Sequence, residues 1–471
     1  ENSVIQLIKC STKPTVYGGS YSSGVTNKSS IYLMGMTVST IYGGSNVGGN
    51  VTSANIYLQS GTVTDVYGGG YGGKGTEAGI TLEGTATVTS IYGGSNTKGD
   101  VETTKVILKS GTITNVFGGG NSAPVRNANV TLNGAKLVID SIHGGSKKTG
   151  LCNATNVKLE AGTVTNVYGG GLDIGSTNAT VNQKGAKVTN IYGGNHGGTG
   201  DGGQTTNAIV NIVDSSVKNV YGGNYGRGTT QNATINISGI SVITGELYGG
   251  GFRSAIGTAE ETGSTTINIT GGSINKDING GSKESKVYGT TNVNIGRDAV
   301  ADKDLTAGSI NIRGNIYAGG DSYKASNRQS QKDYDFDTIS VYGDTHVTLD
   351  NSTQSTISFS GSIFGAGNAA SYSNEVDGST ITVKDFGSST ESYRIASIER
   401  TGKVYTDHSY LELVGEQDVN NYYKTTRYTL NRISNGLTLQ NGTTLYTQRG
   451  FNLVNGFESV KTDGDGTSTK Q

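Results

Sequence analysis

Tryptophan is absent from this 471-residue chain, proline, cysteine and methionine occur twice each, and histidine four times. Each shortage excludes something. Four histidines, His143, His196, His346 and His408, with no partner at a spacing such as His-Glu-x-x-His, leave no recognisable metalloenzyme motif. Cationic excess is missing too: Lys plus Arg is 36 against 37 for Asp plus Glu, so the surface lacks the charge that phosphate backbones or anionic lipids demand, and neither nucleic acid nor membrane insertion is expected. No apolar run approaches the roughly 18 residues that a membrane-spanning helix needs. The chain begins at Glu1 with neither Met nor a hydrophobic signal segment, and is expected to be a processed product or an excised fragment. Helical periodicity is absent throughout.

Glycine, by contrast, supplies 76 residues, about twice the usual share. It does not recur every third residue, which excludes collagen. It falls instead in a phrase of one aliphatic residue, usually a Tyr, then Gly-Gly or a close variant. The phrase starts at Val16, Ile41, Val66, Ile91, Val116, Ile142, Val167, Ile191, Val220, Leu247, Ile278, Ile316 and Ile363, and the first five starts fall 25 residues apart. So strict a period is the mark of one supersecondary unit stacked on copies of itself. The hydrophobic fraction of 32% is low, but nearly all of it sits in periodic columns, which is enough for a long, thin core.

Within a repeat the apolar residues alternate with period two. Ile31/Leu33, Ile56/Leu58, Ile80/Leu82 and Val106/Leu108, continuing as far as Val293/Ile295, form a strand with one inward face. After a Gly-containing bend, Val63 continues the inward set, and Val66 follows three residues later, which requires a corner at Asp65. Its counterparts, such as Thr40, Ser90, Asn115 and Asn166, are short polar residues that bond nearby backbone and tolerate left-handed conformation. Each coil should therefore hold three short strands and a polar loop, paired in parallel with the coils on either side. The fold class is all-β: a parallel β-helix, or β-solenoid, with coils of about 25 residues, expected to be right-handed. A second period of 50 residues, in which Gly-Gly-Gly at Gly68, Gly118 and Gly169 alternates with Gly-Gly-Ser at Gly43, Gly93 and Gly144, leaves open a rival, one flattened coil of twice the length. Cys10 and Cys152 lie too many coils apart to bridge and are expected to be free thiols.

Regularity decays toward the carboxyl end, where the excess length falls in polar loops such as Ser322 to Asp337. The expected organisation is a solenoid of about 13 coils over 1–385, irregular β coils forming a cap over 386–460, and a disordered tail over 461–471.

Two columns carry the candidate function. The aromatic after each aliphatic residue, Tyr17, Tyr42, Tyr67 and onward with Phe117 and His143 in the same slot, either forms an exposed ring ladder or packs beneath the adjacent loop as a second layer. The neighbouring glycine column favours the second arrangement. Four residues further on lies a column that changes freely: Tyr21, Asn46, Tyr71, Asn96, Asn121, Lys147, Leu172, His196, Tyr225 and Phe252. Loop tips on a rigid scaffold are the usual place for recognition residues, so Tyr21, Tyr71, His196, Tyr225 and Phe252 are the candidate binding residues; the plainer alternative is a solvated loop. Thr-x-Thr pairs at Thr62/Thr64, Thr87/Thr89 and Thr112/Thr114 read as outward β-formers. The central coils carry few acids, and no column of them lines up, so catalytic residues, cofactors and metals are not expected.

The run Ser60-Gly-Thr-Val-Thr-Asp-Val-Tyr-Gly-Gly-Gly70 and its echoes, with the later stretches Ser397 to Arg400, Ser409 to Leu413 and Leu437 to Leu445, resemble the repeat regions of large secreted or wall-attached adhesins of gut bacteria, which are built as parallel β-helices. The resemblance covers most of the chain and implies an extracellular or cell-surface location. It also implies a non-enzymatic role in presenting loops to host glycan or mucosal protein. Two alternatives stand beside it: a carbohydrate-active β-helix, lyase or hydrolase, to be marked by acids clustered with Arg or Lys in one groove, and a structural spacer or filament subunit that self-associates end to end.

Overall fold

The computed structural model describes residues 2–8, 13–198, 202–296, 300, 308–321, 341–351, 356–359, 361–365 and 367, and beyond these the strands between Thr380 and Lys470 named below. Cys10 and the loop 322–337 lie outside the described residues. The described chain is a parallel β-solenoid of about 11 coils with about 26 residues per turn. It contains no helix among those residues, hence none long and apolar enough to cross a membrane. Two compact units divide it, one of residues 1–218 and 222–233, the other of 219–221 and 234–471.

In the first unit the inward aliphatic columns read from the sequence are lines of Cα partners. Ile31 pairs with Ile56, Ile56 with Ile80, and Ile80 with Val106, while Ile41, Val66, Ile91 and Val116 are successive partners one coil apart. That register excludes the rival coil of double length. All eight of these side chains are 1% exposed or less, so like residues bury one another from coil to coil. One column admits a polar member: Gln183 takes the place of Leu159 and is 1% exposed.

The bend after the first strand depends on glycine. Gly61 has φ +100°, and a Cβ there would lie 2.3 Å from the carbonyl oxygen of Met36 in the coil before. In two early coils the strand continues through this bend, giving the 18-residue strands Val25–Tyr42 and Asn50–Tyr67, though their pairing shifts register between Leu33 and Thr37; later coils split, as in Lys74–Leu82 and Thr87–Tyr92.

The corner differs from the sequence expectation in two respects. It does not separate a second from a third strand, because Thr87–Tyr92 runs through it as one, with a single position dropped from the register between Val88 and Ser90. Nor is it left-handed, since the only non-glycine residues of positive φ among those described are Asp214, Arg253 and Glu284. Short polar residues are used instead to tie coil to coil: Asn190 Nδ2 donates to Asn166 Oδ1 at 2.8 Å, and Ser141 Oγ to Asn115 Oδ1 at 3.3 Å. A second ladder runs along the outer side of the first strand, Asn211 to Asn182 to Asn156, each step 2.9 Å.

The second unit repeats the scheme with longer loops. Val220, Leu247, Ile278, Ile316, Ile363 and Ile398 are successive partners, and Ile267, Val293, Val347, Ile381, Val404, Leu437 and Val460 form another line. The strands expected near 409, 437 and 443 are found at Tyr410–Leu413, Leu437–Gln440 and Thr444–Thr447. Strands Val460–Asp463 and Thr467–Lys470 pair in parallel with Leu437–Gln440 and Thr444–Thr447, inside a segment that composition alone marks as tail. Backbone pairing to a preformed coil asks little of side-chain composition. Cys152 is a buried free thiol whose sulfur lies 3.3 Å from Ser146 Oγ.

Candidate functional site

From Tyr42 onward the aromatic column of the first unit is buried, with Tyr17 half-buried at its end, and its rings are stacked. From Tyr17 through Tyr42, Tyr67, Tyr92, Phe117, His143 and Tyr168 to Tyr192, consecutive ring centroids lie 4.6–5.1 Å apart with planes 5–13° from parallel. The spacing is that of adjacent strands, which the backbone sets, and the rings take it up face over face. Glycine beside them is obligatory: a Cβ on Gly68 would meet the carbonyl oxygen of Gly93 at 2.3 Å. The glycine column lets the loop backbone close over the rings, so the ladder is a second core layer. Burial accordingly pushes the Tyr67 hydroxyl well above its ordinary pKa, and Tyr168 likewise.

The freely varying column lies on top of this ladder, and its side chains lean back by one or two coils. Asn96 Nδ2 donates to Tyr42 Oη at 3.0 Å, and Lys147 Nζ to Tyr92 Oη at 3.2 Å, each across two coils. Tyr71 meets the Tyr42 ring edge-on at 5.9 Å. His196 sits edge-on to Tyr168 at 4.8 Å and to His143 at 6.0 Å, and Tyr225 edge-on to Tyr192 at 5.0 Å.

The five candidate residues therefore divide. Tyr21 and Tyr71 project from their loops, 73% and 41% exposed. Val47, which the sequence reading missed, joins them at 64%, its backbone N–H bonded to the Tyr21 carbonyl at 2.9 Å. These three come from the loops of successive coils and are all exposed. His196 and Tyr225 are half-buried with their rings 5.1 Å apart, more cover than tip. Burial lowers the His196 pKa against the opposing pull of Asp173. Neither His143 Nδ1 nor His196 Nδ1 has a hydrogen-bond partner among the described residues.

Phe252, in the second unit, is half-buried 5.7 Å from the Tyr221 ring, with the Arg253 guanidinium 4.9 Å and the Lys283 ammonium 5.4 Å from its own ring centre. Around it stands a charged network that the sequence reading did not foresee. Lys283 Nζ and the Tyr221 hydroxyl both donate to the Glu246 carboxylate, and Arg253 Nε donates to Glu284 Oε2 at 2.7 Å. Tyr248 Oη donates to Asp321 Oδ2 at 3.0 Å. Burial pushes the Glu246 carboxyl up, but the hydrogen bonds from Lys283 and Tyr221 outweigh it and leave the group below its ordinary range.

One residue accounts for the Tyr248–Asp321 bond. Asn279 occupies the ring slot between Tyr248 and Tyr317, and a short amide in place of a six-membered ring opens room for Tyr248 to reach past it to Asp321. The amide itself is 3% exposed and its Oδ1 has no hydrogen-bond partner among the described residues. The two acids Glu246 and Asp321 come from different columns, so no column of acids is formed here. Phe252, Lys283 and Asp321 bridge one another as a single column, and Glu246 comes from the neighbouring corner column. Counting five residues on from Leu247, Ile278 and Ile316 finds that column in the sequence.

Among the described residues no group of three or more His, Cys, Asp or Glu side chains is placed to hold a metal ion. Set against protein-family models, curated proteins and solved structures, the chain finds no match.

Proposed function

We propose that this chain is a bacterial surface adhesin, extracellular and without catalytic activity, whose solenoid holds loop tips toward host glycan or mucosal protein. The supporting observation is the exposure of Tyr21, Val47 and Tyr71 on the loops of successive coils. Three large apolar side chains stand exposed there, above a ring ladder that is itself buried from Tyr42 onward. Tyrosine presents a face to a sugar ring and a hydroxyl to its edge, and a loop anchored on both sides loses little freedom on binding. The intact chain should capture ligands on a glycan array or retain proteins from a mucosal extract. The Tyr21→Ala/Tyr71→Ala double variant should lose that capture with its melting temperature nearly unchanged. Capture undiminished in the double variant would remove the assignment.

A second reading, a carbohydrate-active enzyme, draws on the network of Glu246, Lys283, Tyr221, Arg253, Glu284 and Asp321, since acids grouped with cationic and phenolic side chains are what such chemistry requires. Against it, these groups bond one another. Release of reducing sugar or of an unsaturated product from a polysaccharide panel, lost in Lys283→Met, would make this the better description.

A further inference from the structure

His196 leans back across two coils onto the ring ladder, and there it meets a second imidazole. Its ring stands edge-on to Tyr168 at 4.8 Å and to His143 at 6.0 Å, and lies tilted against Tyr225 at 5.1 Å. His143 is itself a rung, 3% exposed and stacked between Phe117 and Tyr168. The Nδ1 atoms of both rings are buried, and neither has a hydrogen-bond partner among the described residues. The other rungs from Tyr17 to Tyr192 are Tyr or Phe, which carry no basic nitrogen. In that ladder this is therefore the one place where a rung and the side chain covering it can both gain a proton near neutral pH.

We propose that His196 is an acid-released cover: on protonation its imidazolium leaves the ladder for the Asp173 carboxylate and uncovers the rings of Tyr168 and His143. The two positions differ in what they offer a charge. On the ladder a neutral imidazole packs among rings, but an imidazolium there would bury an Nδ1–H with no acceptor and stand 6.0 Å from a second imidazole. Asp173 belongs to the coil below and runs beside the His196 segment, because Gly198 N–H donates to the Leu172 carbonyl at 3.0 Å. Its Oδ1 lies against Gly198, so close that a Cβ on that glycine would displace it. Asp173 is also the charge that opposes the effect of burial on His196. The remaining charged neighbours sharpen the contrast. Lys147, from the coil of His143, holds its ammonium on Tyr92 Oη at 3.2 Å and discourages a proton on His143, while Arg227, from the coil above, sets its backbone against Gly197. Asp140 acts on Tyr168, and the other titratable groups at hand are the phenols of Tyr168, Tyr192 and Tyr225.

Burial holds both imidazoles below their ordinary value of 6.5, His143 at about 3, and uncovering lets each return toward it. The covered state thus binds fewer protons than the uncovered one. It is most favoured above about pH 6.5 and loses ground as pH falls, by up to about tenfold in relative population per pH unit for each imidazole uncovered. The backbone need not leave with the side chain: His196 N–H is bonded to Gly171 O at 2.9 Å, and Tyr225 N–H to Asn195 O at 2.9 Å. What emerges is the edge of Tyr168 and His143 beside the half-buried Tyr225, an aromatic patch shown in acid and hidden at neutral pH. Tyr21, Val47 and Tyr71 take no part, so the device holds whether or not those tips bind a ligand.

Hydroxyl-radical footprinting of the full chain at pH 7 and pH 5, read residue by residue in a mass spectrometer, is the test. Tyr168, 5% exposed, should be labelled at least about threefold faster at pH 5. Tyr67, 6% exposed and stacked between Tyr42 and Tyr92 away from both histidines, should be labelled at the same slow rate throughout. His196→Phe keeps a ring over the ladder, as Phe252 does in the same column, and should hold Tyr168 at its slow rate at both pH values. Asp173→Asn removes the receiving charge and should cut the rise at Tyr168 by at least about half. Four results would each overturn the proposal: a Tyr168 rate indifferent to pH, a rise that Tyr67 shares and that therefore marks general loosening, a rise that survives in His196→Phe, or one unaltered in Asp173→Asn.

Discussion

The rings of Tyr67 and Tyr92 lie 4.6 Å apart and 6° from parallel, each buried and each contributed by its own coil. Twenty-five residues of sequence separate them, and one backbone step in space. The stack is held by backbone pairing below and loop cover above, so its members should be costly to remove. Tyr92→Ala, which empties a site with a ring on either side, should lower stability by about 3 to 5 kcal/mol. Tyr92→Phe, which forfeits only the hydrogen bond from Lys147, should cost about 1 kcal/mol. Urea denaturation of both variants checks the order.

Inward and outward faces can be compared directly. Val116 is fully buried between Ile91 and Ile142, and Val116→Asp would bury an unpaired charge, costing several kcal/mol. Tyr71→Ala removes one edge-on contact with Tyr42 and should cost no more than about 1 kcal/mol. A melt in which Tyr71→Ala proved the worse of the two would invert the assignment of faces.

Gln183 is a polar guest in a leucine column. Its Nε2 donates to the Ala186 carbonyl, but Oε1 is buried without a partner among the described residues. Gln183→Leu restores the residue type of Leu159 and should raise stability by about 1 to 2 kcal/mol. An unchanged or lowered urea midpoint would mean that the amide is satisfied in solution.

Acid should loosen the molecule through His143. Burial above all, then His196, with Lys147 adding to them and a backbone bond to Gly171 opposing, pushes this imidazole from 6.5 down to about 3. The folded chain therefore holds His143 neutral at pH values where the unfolded chain would protonate it. Stability is fully present above about pH 6.5 and is lost as pH falls toward 3, by about 3 kcal/mol at pH 4.5. His143→Phe, which copies Phe117 in the same column, should flatten that part of the profile. Urea midpoints of the two proteins at pH 7 and pH 4.5 should converge at neutral pH and separate in acid. Parallel profiles would show that other groups carry the acid sensitivity.

The coil was legible in the sequence because its determinants are local and repeated. Ile41, Val66 and Ile91 sit in identical surroundings, and thirteen statements of one phrase leave little freedom. The burial of the ring ladder could be anticipated from the glycines beside it. What escaped were contacts that exist only between unlike positions of different coils. Asn96 reaching back to Tyr42 depends on the lean of a loop, which no period encodes. Tyr248 reaches Asp321 past Asn279, which stands in a ring's place, and Lys283 pairs with Glu246 from another coil, contacts that no period encodes.

The register between coils has a bearing on how such a molecule changes over generations. Tyr67 is followed by Gly68 and Tyr92 by Gly93, and the two positions are stacked partners. Excising residues 68–92 would join Tyr67 to Gly93 and leave a seam no different from any other, as would inserting a duplicate. Unequal exchange within the gene can therefore alter reach by whole units while every junction stays native. Length and tip chemistry can be selected separately, the first by copy number and the second by point substitution.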